Sequence, residues 1–344
     1  MSIFALGIEL DGEGSHPAAW RRANHPPSES ISGRTLAQKV RAAENAGFTL
    51  ATFDDSIVPP QFGLRARVDA VNRASFVAAA TSTIGLVPVV ETTYAEPFHT
   101  SSQLATLDYA SRGRGGWIPT RVADPAAARA WGRTLLTHQA DLDREQRDSV
   151  TVVRDLWDSW DDDAVIRDYA SGRFLDRDKL HYVDFEGETF TVKGPAIVPR
   201  PPQGQLVVFG TEADRELVDV VLVADPARRS DGLTFVEIAV TLDTPGASAT
   251  DRLAALNQHH PAPESSRLEY VGPATGFVEL LADLAAHVDG VRLFPTVIDE
   301  DLPVLARYVL PALYKSGVAH RPVPGSSLRE NLGLVRPANR YARV

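Results

Sequence analysis

Apolar runs of strand length alternate along this chain with segments whose apolar positions recur at helical spacing. Residues 3–10 (IFALGIEL), 49–55 (TLATFDD), 84–90 (IGLVPVV), 206–209 (LVVF), 220–224 (VVLVA), 234–242 (TFVEIAVTL) and 290–294 (GVRLF) read as strands. Between the first two, GRTLAQKVRAAENAGF places Leu36, Val40, Ala43 and Ala46 on one helical face and stops at Gly47, the residue type that most readily ends a helix. RVDAVNRASFVAAATS, SSQLATLDYAS, DSVTVVRDLWDSW, GFVELLADLAAHV and DLPVLARYVLPALYKSG read as further helices, the last ending at Gly317. Strands that are apolar throughout, rather than alternating, belong to a parallel sheet covered by helices. About eight such β-then-α units fit the chain, and no G-x-G-x-x-G follows any of its strands. The expected architecture is therefore a closed (β/α)8 TIM barrel rather than an open dinucleotide-binding sheet. It is expected to form a single domain over 1–344, interrupted by a polar excursion at 158–204. That excursion contains a β-hairpin pattern, YVDFEGETFTVKG, and a Pro-, Gly- and Arg-punctuated tail at 318–344 is expected to wrap the outside of the barrel.

Composition narrows the function. The chain has 344 residues, 44% apolar and 23% charged, enough to bury a full core. Its net charge of −10 argues against nucleic acid, which is bound through basic patches that displace counterions. With no cysteine, disulfides, thiolate metal sites and a cysteine nucleophile are excluded. The N-terminal run has no basic region before it and meets Glu9 and Asp11 at once, so it reads as a strand and not a leader. No stretch approaches the roughly 20 apolar residues of a membrane span, and the expectation is a soluble, cytoplasmic protein. His259 and His260 are adjacent but lack a carboxylate at ligand spacing, so no metal site is expected.

The most informative local stretch is GPAIVPRPPQGQLVVFGTEADRE, residues 194–216. A strand ends there in Gly210 and Thr211, and backbone N–H groups and a hydroxyl at a strand end can cradle a phosphate. Glu212, Asp214 and Glu216 follow directly and crowd the same place with negative charge.

Six segments in one order carry a family resemblance: AENAGFTLATFDDS, STIGLVPVVETTYAEPFHTSSQLATLDYASRGRGGW, VVRDLWDSWDDDA, FLDRDKLHYVDFEGETFTVKGPAIVPRPPQG, HVDGVRLFP and SSLRENLGLVRPANR. Over nearly its whole length the chain resembles the bacterial-luciferase-like flavin monooxygenases, in particular the nitrilotriacetate and dibenzothiophene-sulfone monooxygenase branch. The resemblance implies a (β/α)8 barrel using reduced FMN and O2 on a small organic molecule, with FMN supplied by a separate reductase and a homodimeric assembly. It implies that Asp55, Thr92, Thr93 and His138 lie beside the flavin and that Gly210 and Thr211 hold its phosphate. It also implies that His16 and Trp20, in GSHPAAWRR, line the substrate pocket with Trp117, with His16 as a general acid or base.

The departures point elsewhere. The residues after Trp117 are Ile118, Pro119, Thr120 and Arg121 in place of the family's Asn and Val-Thr-Ser run, and a family arginine is Ser102 here. The family's Arg-Tyr pair before LWDSW is Leu142-Asp143, its phosphate loop reads Gly210-Thr211-Glu212 without a second glycine, and the segment covering the active site is reduced to ASATDRLAALNQHHPAPESSRLEY. Arg215 and Arg121 are the candidate replacement cations. Oxygen insertion needs a site closed to water, so the reduced cover is expected to uncouple turnover unless a partner subunit closes the pocket. Three readings follow: an FMN monooxygenase with altered phosphate contacts, a non-catalytic paralogue or partner subunit with weak or no flavin binding, and an oxidoreductase using a deazaflavin.

Overall fold

The computed structural model describes residues 4–61, 63, 65–229 and 231–341. Ile3, at the start of the first expected strand, and residues 342–344 of the expected tail lie outside them.

Eight parallel strands form a closed barrel: β1 (Ala5–Glu9), β2 (Leu50–Phe53), β3 (Gly85–Glu91), β4 (Gly116–Thr120), β5 (Val207–Thr211), β6 (Val220–Val223), β7 (Leu233–Leu242) and β8 (Gly290–Pro295). Each pairs with the next in chain order, and β8, lying between β7 and β1, closes the ring. The long β7 pairs with β6 through its first half, and with a ninth, outlying strand, Leu268–Gly272, through its second. β4 has no counterpart in the hydrophobic pattern, because GWIPT offers only Trp117 and Ile118 as adjacent apolar residues and places Pro119 in the ladder. A strand flanked on both sides can still hold a proline where that N–H is not needed, and this is what pattern reading misses.

Helices cover the barrel where the period indicated them, and Pro125–Trp131 and Ala249–His259 are two further ones that it did not indicate. α1 (Gly33–Ala46) is capped by the Ser32 side chain, which accepts from the Arg34 N–H, and ends at Gly47 with φ 102°. α2 (Ala70–Ala78) is capped by Asp69; α3 (Pro97–Ser111) and α4 (Gln139–Asp158) follow, and α5 (Ala249–His259) and α6 (Ala274–Leu284) cover the second half. The expected last helix runs from Ile298 to Ser316 but widens into a π-turn at Leu305–Val309. Pro303 and Pro311 flank that turn and cannot donate to the helical ladder. β5 is followed only by a three-residue 3-10 turn, Glu212–Asp214, so no helix N-terminus faces the end of this strand. Two small hairpins, Val165–Asp168 with Arg173–Leu175 and Phe185–Glu186 with Thr191–Val192, sit in the polar excursion.

Alternate residues of each strand point into the lumen. Ala5, Leu50, Val87, Val207, Phe209 and Phe235 fill it, and the tail completes it: Leu328 and Leu332 join the same buried cluster. Leu328 seats so closely under the barrel that a Cβ on Gly85 would meet its Cδ1 at 2.6 Å. Beyond the plug the tail is tied down by charge, with Arg329 on Asp219 and Arg336 on Asp162. The tail is thus part of the core as well as an outer wrap.

Leu328→Ala should lower unfolding stability by about 2–5 kcal/mol, the cost of deleting a fully buried leucine that its surroundings cannot refill. Urea titration followed by far-UV circular dichroism measures it.

Candidate functional site

The C-terminal ends of barrel strands are where this architecture collects chemistry, and here they carry charge. Arg292 of β8 rises into the top of the lumen, donates to Glu9 of β1 at 2.6 Å and to Glu237 of β7 at 2.8 Å, and reaches the Thr52 hydroxyl of β2 at 3.0 Å. Burial opposes charge on Glu9, but Arg292 and the Thr52 hydroxyl hold its carboxyl below the ordinary range. One guanidinium does not neutralise every carboxylate around it. Asp54, just past β2, keeps part of its surface in water, yet its carboxyl is raised to about 6, first by loss of solvation and then by Glu9 and Asp11. Beside it Arg73 of α2 donates to Asp11 at 2.7 Å and also to the Asp54 carbonyl.

Across the rim, the end of β5 forms a closed unit. The Asp214 carboxylate is buried, and its Oδ2 accepts from the Thr211 hydroxyl at 2.8 Å and the Thr211 N–H at 3.2 Å. Arg121, just past β4, donates to both Asp214 oxygens and places its Nε 2.6 Å from Asp143 of α4. Burial would raise Asp214, but Arg121 and Thr211 hold it below the usual carboxylate range. Glu212 takes no part: it is half exposed and pairs with Arg215 at 3.1 Å.

On a third side, the loops after β1 and β2 and the first turns of α1 and α2 line an open-sided cavity of about 630 Å³, with Glu13, His16, Trp20, Lys39 and Phe76 among its residues. His16 is buried in its wall, accepting the Ala18 N–H on Nδ1 at 3.0 Å and facing Asn257 Oδ1 through Nε2 at 3.1 Å. The first contact leaves the ring proton on Nε2 for Asn257. Asn257 belongs to α5, so this helix packs on the loop after β1, with Leu256 against Ala18, Ala19 and Val297.

The residues singled out from sequence are thus only partly brought together. His16 and Trp20 share the cavity. Trp117 does not line it; the ring is fully buried between the barrel and its helices, edge-on to Trp157 at 6.3 Å. The parity of β4 explains this, since Ile118, its neighbour, is the residue that faces the lumen. Asp55 accepts from the Ala70 N–H at 2.6 Å and the Ser56 N–H at 2.7 Å, which fixes the entry to α2. Thr93 Oγ1 accepts from the Val122 N–H at 2.9 Å, and Thr92 Oγ1 donates to the Thr120 carbonyl at 3.2 Å. His138 is exposed at the start of α4 and makes no capping bond. Gly210 is buried in β5, and a Cβ there would meet Val218 at 2.8 Å. The lumen cluster was missed, although charged Glu9 and Arg292 at inward positions of apolar strands were a readable signal.

The luciferase-like monooxygenase family model matches residues 14–226, and the chain belongs to that family. It is 28% identical to the N-acetyl-S-(2-succino)cysteine monooxygenase of Bacillus subtilis (strain 168), over 98% of both chains. It is 34% identical to one subunit of the pristinamycin IIA synthase of Streptomyces pristinaespiralis, over 90% of this chain and 91% of that one. The other named subunit of the same synthase is also a relative, at 30% identity over 60% of this chain and 46% of its own length. A nitrilotriacetate monooxygenase component of Aminobacter aminovorans (31%) and the dibenzothiophene-sulfone monooxygenase of Rhodococcus erythropolis (36%) confirm the branch, though the chain spans only 55% and 45% of them. A crystal structure of long-chain alkane monooxygenase superposes with a TM-score of 0.82 at 19% identity, covering 97% of this chain and 96% of that one, and shares the fold. Monooxygenases of this kind use reduced flavin.

At the end of β5 the donors that could meet a phosphate group are engaged within the chain. A dianion there needs free N–H and hydroxyl donors and preferably a cation. The Thr211 donors and the Arg121 guanidinium are all bound to Asp214.

The raised Asp54 has a consequence for stability. An unfolded aspartate ionises near 3.9, so between about pH 4 and 6 the native chain retains a proton that the unfolded chain has released. This site therefore costs stability as pH rises through that window. Asp54→Asn should gain on the wild type from pH 4 to pH 7, read as the difference in urea midpoints at the two pH values.

Proposed function

We propose that this chain serves a reduced-FMN- and O2-dependent monooxygenase reaction on a small organic molecule, as a luciferase-like subunit that does not itself anchor the flavin phosphate. The single observation that carries this reading is the Asp214 carboxylate, bound by Thr211 and Arg121 where the phosphate would sit. An internal anion there is covalently tethered and already desolvated, so an external one must displace it and strand its charge. In this reading a separate reductase supplies reduced FMN, and a second luciferase-like chain holds it. Two copies of this chain would carry two closed seats, which favours an unlike partner over a homodimer. The end-to-end similarity to a protein named as one subunit of a synthase, whose other named subunit is also a relative, supports the same assembly.

In the same reading residues 1–344 act as one domain with the insertion at 158–204, working in the cytoplasm beside the reductase. Among the described residues no helix is long and apolar enough to cross a membrane. A deazaflavin also carries a phosphate, so the closed seat weighs equally against that cofactor.

A second reading keeps the flavin chemistry on this chain, with His16 as its acid or base. It is favoured by the 630 Å³ cavity on the same rim, in whose wall His16 lies. One experiment separates the two. In an anaerobic titration followed by flavin fluorescence, the wild type should show no saturable binding of oxidised or reduced FMN at high micromolar concentration. Asp214→Ser, which releases the Thr211 donors and the two terminal nitrogens of Arg121 while Asp143 still pairs with its Nε, should gain affinity at least about tenfold, some 1.4 kcal/mol. Low-micromolar binding by the wild type, unchanged in Asp214→Ser, would overturn the proposal in favour of the second reading.

A further inference from the structure

Three side chains of metal-ligand type converge at the rim beside β1. Glu13 comes from the loop after β1, His25 from between the 3-10 turns Ala19–Arg22 and Pro27–Ile31, and Asp299 from the first turn of the last helix. One ring nitrogen or carboxylate oxygen of each lies within 4.8 Å of the others. Nothing in their sequence spacing signals a site; the closure of the barrel brings them together.

The histidine is the informative member. Its Nδ1 lies 3.0 Å from the Pro26 carbonyl oxygen. That oxygen can only accept, so a neutral ring carries its proton on Nδ1 and its lone pair on Nε2. Nε2 in turn faces Glu13 Oε2 at 3.0 Å, and two lone pairs do not stay in contact without a positive charge between them. A backbone carbonyl on one ring nitrogen and a directed lone pair on the other is how a histidine is prepared to bind a metal.

The positive charge can be a proton or a metal ion, and the second carboxylate favours the ion, since a proton on Nε2 serves Glu13 alone. Glu13 is buried, and its Oε1 has no hydrogen-bond partner among the described residues. Asp299 is steadied by the Asn24 N–H, which donates to its Oδ2 at 2.9 Å. Ligands about 2.0–2.2 Å from a zinc ion sit roughly 3.4 Å apart. His25 and Glu13 are already near that spacing.

Lys39 is the opposing group. Its ammonium donates to Glu13 Oε2 at 2.5 Å and to the Gly12 carbonyl at 2.7 Å, and it repels a second cation. It lowers the affinity without closing the site, because the Gly12 carbonyl remains its acceptor when Glu13 turns to an ion.

We infer that Glu13, His25 and Asp299 form a site for a divalent transition-metal ion of the zinc class, with water in the remaining position. One imidazole with two carboxylates suits such an ion better than magnesium or calcium, which take oxygen ligands. Glu13 and His25 bracket the segment that carries His16 and Trp20. Asp299 belongs to the helix whose Ile298 N–H donates to the Glu13 carbonyl at 2.8 Å. An ion held by all three fastens that segment to the rim. The inference is independent of the proposed function, since it involves neither flavin nor the Asp214 unit.

Isothermal titration of the tag-free full chain with zinc chloride near neutral pH, after EDTA treatment and removal of the chelator, tests it. The wild type should bind one zinc ion at micromolar concentration or below, and saturating zinc should raise its Tm. His25→Ala and Asp299→Asn should each weaken binding at least tenfold and lose the rise in Tm. Asp299→Asn keeps the shape of the side chain and carries the test if His25→Ala does not fold. Lys39→Met, which removes the competing ammonium, should tighten binding at least tenfold. Joint replacement of His259 and His260 by alanine should leave binding unchanged. No zinc uptake by the wild type would overturn the inference and leave a proton as the charge between His25 and Glu13. Unchanged binding in both His25→Ala and Asp299→Asn, or loss of binding in the His259 and His260 variant, would overturn it as well.

Discussion

A closed parallel barrel has to fill its own lumen, and the rest of this molecule follows from how that is done. Strand parity sends every second side chain inward, so each level of the barrel must be packed or paired. At the base the filling comes from Leu328 and Leu332, at mid-height from Phe209 and Phe235 in an edge-on pair at 6.0 Å. At the top it is ionic, with Arg292 held among Glu9, Glu237 and Thr52. Charges buried this way are tolerated because each has a partner within hydrogen-bond reach, and the removal of any one strands the others. The rim chemistry is built on that fixed platform.

Above the platform, the rim holds two sites with different physical character. At the end of β5 the chain satisfies itself: acceptor, donors and cation all come from Asp214, Thr211 and Arg121. Beside β1 it leaves an open-sided cavity of about 630 Å³ with Trp20, Leu36 and Phe76 among its lining residues. The first arrangement resists an external ligand and the second invites one.

The architecture was legible because long periodic segments and uniformly apolar strands report burial on both faces, and the family resemblance rests on six ordered segments. The site was legible only where a position's role is carried by its own residue type. Gly210 and Thr211 marked the strand end, and the crowding carboxylates were visible beside them. Which carboxylate mattered was not, because Glu212 and Asp214 differ only in direction. The tight 3-10 turn folds Asp214 back under Thr211, while Glu212 points outward to Arg215. Arg121 looked like a spare cation and is instead committed to Asp214 and Asp143 from another strand's end. Trp117 was placed at the pocket by resemblance, but the parity of a strand the pattern did not reveal turns it outward. Pairings between residues far apart in sequence, and side-chain direction at element ends, are the two quantities a linear pattern does not encode.

The seat of Leu328 also has a meaning for how the chain is made. The leucine that stops the base of the barrel follows every barrel strand in sequence, and Gly85 and Gly116 are bare beneath it to let it in. A ribosome releases the strands in order, β1 first, so all eight are synthesised before their plug emerges. Until then the lumen has an open, apolar floor, and the nascent barrel presents it to the cell. Closure depends on a contact between distant parts of the chain, a kind that forms slowly and late. A chain cut short before Leu328 would therefore be left with its core unsealed.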